Sequence, residues 1–178
     1  MVEQRVLEGV GAVVENMNNQ DSLPSRRHPA HHAVLTTGNI SPIVFLTVCA
    51  RDRKDIFASS DVQQLLVCSW RQAIHWSVGR YIIMPNHIHL FCAPASYPPE
   101  SMRSWIKYWK TLVSRSWPRP GEQPIWQQDV WDTQLRREDN YAAKWEYVRQ
   151  NPVRAGLAVR PEDWPYQGEL VVLSWHDR

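Results

Sequence analysis

The chain has 178 residues, with 20 Lys or Arg against 18 Asp or Glu and 43% hydrophobic residues. That length supports one sizeable core with appendages rather than two full domains, and a net charge of +2 excludes both an acidic tail protein and a histone-like polycation. No run approaches the ~20 apolar residues of a membrane helix, and the start Met1-Val2-Glu3-Gln4 lacks the basic-then-apolar pattern of a secretion signal. A cytoplasmic protein without membrane contact is expected. Cys49, Cys68 and Cys92 are odd in number and far apart, which fits neither a disulfide framework nor a metal knuckle and predicts small core residues.

Residues 1–41 mix an acidic start with a polar, Pro-containing stretch and read as an irregular extension. Its His28, His31 and His32 have no Cys or carboxylate at ligand spacing, so they read as a solvated patch. A domain over 42–168 and a tail over 169–178 follow. Ile43 to Ala50 is a β-branched apolar run, hence a buried strand. Ser59, Ser60 and Asp61 offer caps for an amphipathic helix through Leu65, Leu66, Trp70, Ala73 and Ile74. Tyr81 to Met84 and His87 to Cys92 are two further strands. Only Pro85-Asn86 separates them, which predicts a tight antiparallel hairpin.

The segment 101–117 is helical, with Met102, Trp105, Ile106, Trp109, Leu112 and Val113 on one stripe and Arg103, Lys107 and Lys110 on another. After a break at Pro118, Pro120 and Pro124, Val130 to Arg136 is a fourth strand and Glu138 to Gln150 a helix stopped by Asn151-Pro152. Strand, helix, strand, strand, helix, strand is the split βαβ order. It predicts an α+β, ferredoxin-like sandwich with the helices on one face of an antiparallel sheet, plus a C-terminal helix.

Composition in this half bears on function. Six of the ten tryptophans lie between 101 and 150, and residues 101–160 carry eleven basic against six acidic side chains. Cations interleaved with aromatics suit single-stranded nucleic acid, where rings stack on bases and charges follow phosphates; the competing reading is core tryptophans beneath a solvated charged face.

His87 and His89 alternate with Ile88 and Leu90, so both imidazoles leave the same face of a strand and can share a divalent cation. Hydrogen-bonded core histidines are the other reading. On the last helix Tyr141, Trp145 and Val148 form the apolar stripe, whereas Lys144, Tyr147 and Asn151 fall together on a polar one. A tyrosine beside a metal can attack phosphorus and keep the bond energy as a phosphotyrosine. Asn151 can add an oxygen ligand and Lys144 can neutralise phosphate. Alternatively, Tyr147 is a half-exposed packing residue.

Met84-Pro85-Asn86-His87-Ile88-His89-Leu90, followed by Tyr147-Val148-Arg149-Gln150-Asn151-Pro152-Val153-Arg154-Ala155-Gly156-Leu157, resembles the HUH single-tyrosine transposases, in particular their REP-associated branch. Ile125 to Asp132 with Arg136, and Asp163-Trp164-Pro165-Tyr166, are similar to that branch too, so the likeness spans roughly residues 43–168. It implies Mg²⁺ or Mn²⁺ held by His87 and His89, Asn151 at the metal, and Tyr147 as the nucleophile. The implied substrate is single-stranded DNA with REP-like hairpins. Arg103, Lys107, Lys110, Arg136, Lys144 and Arg154 are the expected DNA contacts, and a monomer or homodimer is expected. The implied activity is cutting and rejoining of that strand. The alternatives are a domesticated hairpin binder with little strand transfer, and an RNA-directed protein on the same sheet.

Overall fold

The computed structural model describes residues 43–135 and 141–173. The expected extension, its histidine cluster and Arg136 lie outside the described residues. Five strands form one antiparallel sheet in the order β4-β1-β3-β2-β5: β1 (Val44–Ala50), β2 (Trp76–Ile83), β3 (His87–Pro94), β4 (Trp126–Gln134) and β5 (Gln167–Glu169). Helix α1 (Ser60–Gln72) links β1 to β2 and α2 (Met102–Arg115) links β3 to β4, while α3 (Tyr141–Arg149) and α4 (Asn151–Arg154) precede β5. The first four strands thus show the ferredoxin-like order, with β5 added against β2. No helix among the described residues is long and apolar enough to cross a membrane.

Local chemistry accounts for the elements. Ser101 caps α2, its Oγ accepting the Ser104 N–H at 3.4 Å, and the five residues Met102, Trp105, Ile106, Trp109 and Val113 of the predicted stripe are buried. In the β2–β3 turn the Met84 N–H donates to the His87 carbonyl at 2.8 Å, closing the two-residue Pro85-Asn86 loop and fixing the register of both strands.

The sheet has two covered faces. Leu46, Val48, Ile88 and Leu90 point into a large core under α1 and α2. Ile82, Phe91 and Ala93 point the other way, into a second core completed by Tyr141 and Val148 of α3 together with Trp164 and Leu173. Trp105 and Trp109 are fully buried and Trp117 is buried beside them, so these belong to the core, not to an exposed stacking surface. Several indoles satisfy their N–H there: Trp105 donates to the Ala73 carbonyl at 2.7 Å and Trp126 to the Lys110 carbonyl at 3.1 Å.

Several expectations change. The strand β2 begins at Trp76, five residues before Tyr81, because a bulge between Val78 and Tyr81 absorbs Gly79 and Arg80 and interrupts the apolar run. The strand β4 begins at Trp126, with the polar Gln127, Gln128 and Asp129 tolerated at the sheet edge. Helix α3 ends at Arg149, just before Asn151-Pro152 as expected, and Pro152 opens a separate short helix α4, where its missing N–H costs nothing. Ile74 and Cys68 are exposed, Ile74 because α1 has ended at Gln72. The sheet and second core also run past residue 168, to Glu169 and Leu173.

If the α2 stripe anchors the larger core, Trp109→Ala should cost about 3–5 kcal/mol in urea unfolding, while Tyr108→Ala on the exposed side should stay within about 0.5 kcal/mol. Similar losses for both would contradict this packing.

Candidate active site

The site is built on β3 and the strand beside it. In the antiparallel register Thr47 of β1 faces His89, and Cys49 faces His87, so all four side chains leave the sheet on the α3 side. The two imidazoles meet edge to face with centroids 4.7 Å apart. His89 is buried, its ring stacked on Phe45 at 5.2 Å and its Nδ1 hydrogen-bonded to Thr47 Oγ1 at 2.9 Å. His87 is half-buried, and its Nδ1 lies 2.7 Å from Asn86 Oδ1. An amide oxygen can only accept, so in that contact His87 Nδ1 is the donor.

Burial holds the His89 imidazole well below its usual value, reinforced by His87, Lys144, Arg154 and Arg53. A neutral ring presents a lone pair, the form a metal requires. Two imidazoles on one face, with Thr47 and Asn86 as the outer hydrogen bonds that orient ligating histidines, fit a divalent cation. Among the described residues no third His, Cys, Asp or Glu joins them in a metal-binding group.

Helix α3 supplies the rest. Tyr141 is buried against Phe91 with centroids at 4.9 Å and lies under Arg80, whose Cζ is 5.3 Å from its ring; burial pushes its phenol up. Tyr147, at 52% exposed, is on the outer side. Its ring has the Arg154 guanidinium 4.4 Å from the centroid and the Lys144 ammonium at 5.8 Å. Lys144 also sits 5.2 Å from the Phe45 ring that stacks on His89. Lys144, Phe45 and His89 thus connect the helix to the histidine pair. Arg154 donates to the Tyr147 carbonyl at 3.0 Å and to Asn151 Oδ1, so in this structure the Asn151 amide oxygen is engaged by a guanidinium.

The α2 cations lie elsewhere. Arg103, Lys107 and Lys110 belong to the layer on the opposite face of the sheet and line a groove of about 1030 Å³ between α2 and β4. Arg103 and Lys107 are exposed. Lys110 is half-buried, donates to the Gln127 carbonyl at 2.8 Å, and has its ammonium pulled down to about 8 by burial. Thr47 and Phe45 escaped the sequence reading, since only the β1–β3 register shows that they share a face with the histidines.

Comparison with known proteins bears on this arrangement. No protein-family model matches the chain. A REP-associated tyrosine transposase of Escherichia coli (strain K12) is 23% identical over 68% of this chain and 73% of its own length. A Haemophilus influenzae relative carrying the same family name is 25% identical over 70% and 77%. Both relatives support the resemblance to the REP-associated tyrosine transposases that the motifs carry. A solved structure of a REP-associated tyrosine transposase bound to a REP hairpin superposes on 76% of this chain and 82% of its own, with a TM-score of 0.61 at 20% identity, and so shares the fold.

Thr47→Val should leave the buried His89 Nδ1 without its partner. We expect a loss of about 1–3 kcal/mol and, in ¹⁵N spectra of the imidazoles, a changed tautomer pattern at His89 alone. Unchanged stability and spectra would remove Thr47 from the site.

Proposed function

We propose that the chain nicks and rejoins single-stranded DNA carrying REP-like hairpins, with Tyr147 as the nucleophile. The observation that carries this reading is the gathering of the His87–His89 pair, with His89 kept neutral by burial, and of Lys144, Tyr147 and Arg154 on one face of the sheet. The substrate class is supported by the REP hairpin held by the structural relative and by the name of the E. coli transposase.

In the proposed reaction Tyr147 Oη loses its proton and attacks phosphorus. The new Oη–P bond replaces the P–O3′ bond, the departing oxygen takes a proton, and the products are a 5′-phosphotyrosine and a free 3′-hydroxyl. Attack by a 3′-hydroxyl on that linkage reverses the exchange and rejoins a strand. Lys144 and Arg154 flank the attacking ring and would balance the charge of the phosphate. His87 and His89 would hold Mg²⁺ or Mn²⁺ through Nε2, and Asn151 would join them only by exchanging Arg154 for the cation. Such a cation, when bound, supplies charge neutralisation at the scissile phosphate. Arg103 and Lys107, on the far layer, would grip DNA away from the cut.

The two tyrosines of α3 separate the alternatives. A phenol that is buried and pushed up is a poor nucleophile, so Tyr141→Phe should keep cleavage and change stability by no more than about 1 kcal/mol. Tyr147→Phe should melt near wild type and still bind hairpin oligonucleotide, yet give neither cut strand nor protein–DNA adduct on a denaturing gel. An active Tyr147→Phe protein, or an adduct mapped to Tyr141, would overturn the assignment.

A further inference from the structure

The backbone immediately after β1 is held in an unfavourable conformation. Asp52 (φ 55°, ψ 22°) and Arg53 (φ 55°) stand consecutively in the left-handed region, where a residue with a Cβ is strained and glycine is not. Four hydrogen bonds keep this turn in place. The Ala50 N–H donates to the Asn86 carbonyl at 2.9 Å and the Phe57 N–H to the Pro85 carbonyl at 2.8 Å. The Arg51 N–H donates to the Ile125 carbonyl at 2.9 Å and the Lys54 N–H to the Arg51 carbonyl at 3.3 Å. Two of the four tie it to the hairpin loop that delivers His87.

Arg53 is aimed by this arrangement. Its side chain reaches back to the thiol of Cys49, the residue directly across the ladder from His87, and its charge is felt at His89. It is exposed, and among the described residues no carboxylate pairs with it; Asp52 lies 3.7 Å from Arg51 instead. The turn also forms one wall of a cleft of about 510 Å³, whose other wall is Trp126, Gln127 and Gln128 at the start of β4. The Trp126 ring already packs against Phe57 at 5.1 Å and Lys110 at 5.5 Å, and the cleft presents Arg51, Asp52, Arg53 and the two amides of Gln127 and Gln128.

We propose that Arg53 is a phosphate-binding residue of the reaction centre, its guanidinium taking a non-bridging oxygen of an unpaired DNA strand that crosses the cleft between the 51–53 turn and β4 to reach the histidine pair. The inference rests on the function proposed above. It explains why an arginine occupies a backbone position that favours glycine: the planar fork suits phosphate oxygens, and the hydrogen-bonded turn keeps it at Cys49, across the ladder from His87, despite the strain.

Arg53→Gly and Arg53→Lys test it, read by melting temperature, by hairpin affinity across salt concentrations, and by single-turnover adduct formation at saturating protein. Arg53→Gly should melt at or above the wild-type temperature, because the left-handed strain is relieved, yet form adduct about 10–100-fold more slowly through loss of a charge-assisted contact. Arg53→Lys should recover part of the rate. A glycine variant with the wild-type rate overturns the proposal. So does one that melts lower and is restored in stability but not in rate by lysine, since that confines Arg53 to holding Cys49. If the wild-type protein forms no adduct, the proposed function fails by itself. The Arg53 contact is then judged on binding, where the salt slope for single-stranded DNA should fall by about 0.7 and an unchanged slope rejects it.

Discussion

Because successive side chains of β3 leave the backbone on opposite sides of the sheet, Ile88 and Leu90 are committed to the core under α1 and α2 while His87 and His89 are delivered to the α3 face. Everything at the site depends on that alternation. A one-residue slip would bury both imidazoles among the tryptophans and put isoleucine and leucine beside Tyr147. The register is held from several directions: the Pro85-Asn86 loop at the hairpin, the β1–β3 ladder, and the Thr47–His89 hydrogen bond. The large aromatic core is therefore not remote from function. It fixes the apolar half of a strand whose other half faces the chemistry.

Electrostatics give that face its character. Lys144, Arg154 and Arg53 all act on a buried imidazole that burial already keeps neutral. Each cation makes a protonated histidine less favourable and an anion more welcome. Neutral ring nitrogens among fixed cations suit a phosphodiester and a divalent ion together, since the anion offsets the cations that would otherwise repel the metal. Tyr147 stands at the outer rim of this field between Lys144 and Arg154, whereas Tyr141, six residues earlier on the same helix, is committed to packing with Phe91.

Much of this was legible in the sequence where a single periodicity governs a segment. The α2 stripe, the two-residue hairpin loop, the shared face of His87 and His89 and the contrast between Tyr141 and Tyr147 all follow from spacing alone. Strand lengths were not legible: Ser77, Gly79 and Arg80 break the pattern in β2, and an edge strand such as β4 can carry Gln127, Gln128 and Asp129 without loss. The tryptophans were ambiguous because composition does not say which way an indole points; the packing assigns Trp105, Trp109 and Trp117 to the core. The α2 cations share a half of the chain with Tyr147 but lie across the sheet from it, and Lys110 is tied to Gln127. Phe45, Thr47 and Arg53 acquire meaning only through the pairing of β1 with β3. The partner of Asn151, Arg154, is one helical turn away and needed the separate short helix α4 to be found.

The most direct test of the two-faced arrangement is paramagnetic line broadening by Mn²⁺, followed in the imidazole, tyrosine and indole resonances of the intact protein. Broadening should be strongest at His87 and His89, clear at Tyr147, and weakest at the indoles of Trp105 and Trp109 beyond the sheet. Broadening that spares both histidines and centres on the groove between α2 and β4 would contradict a reaction centre on the α3 face.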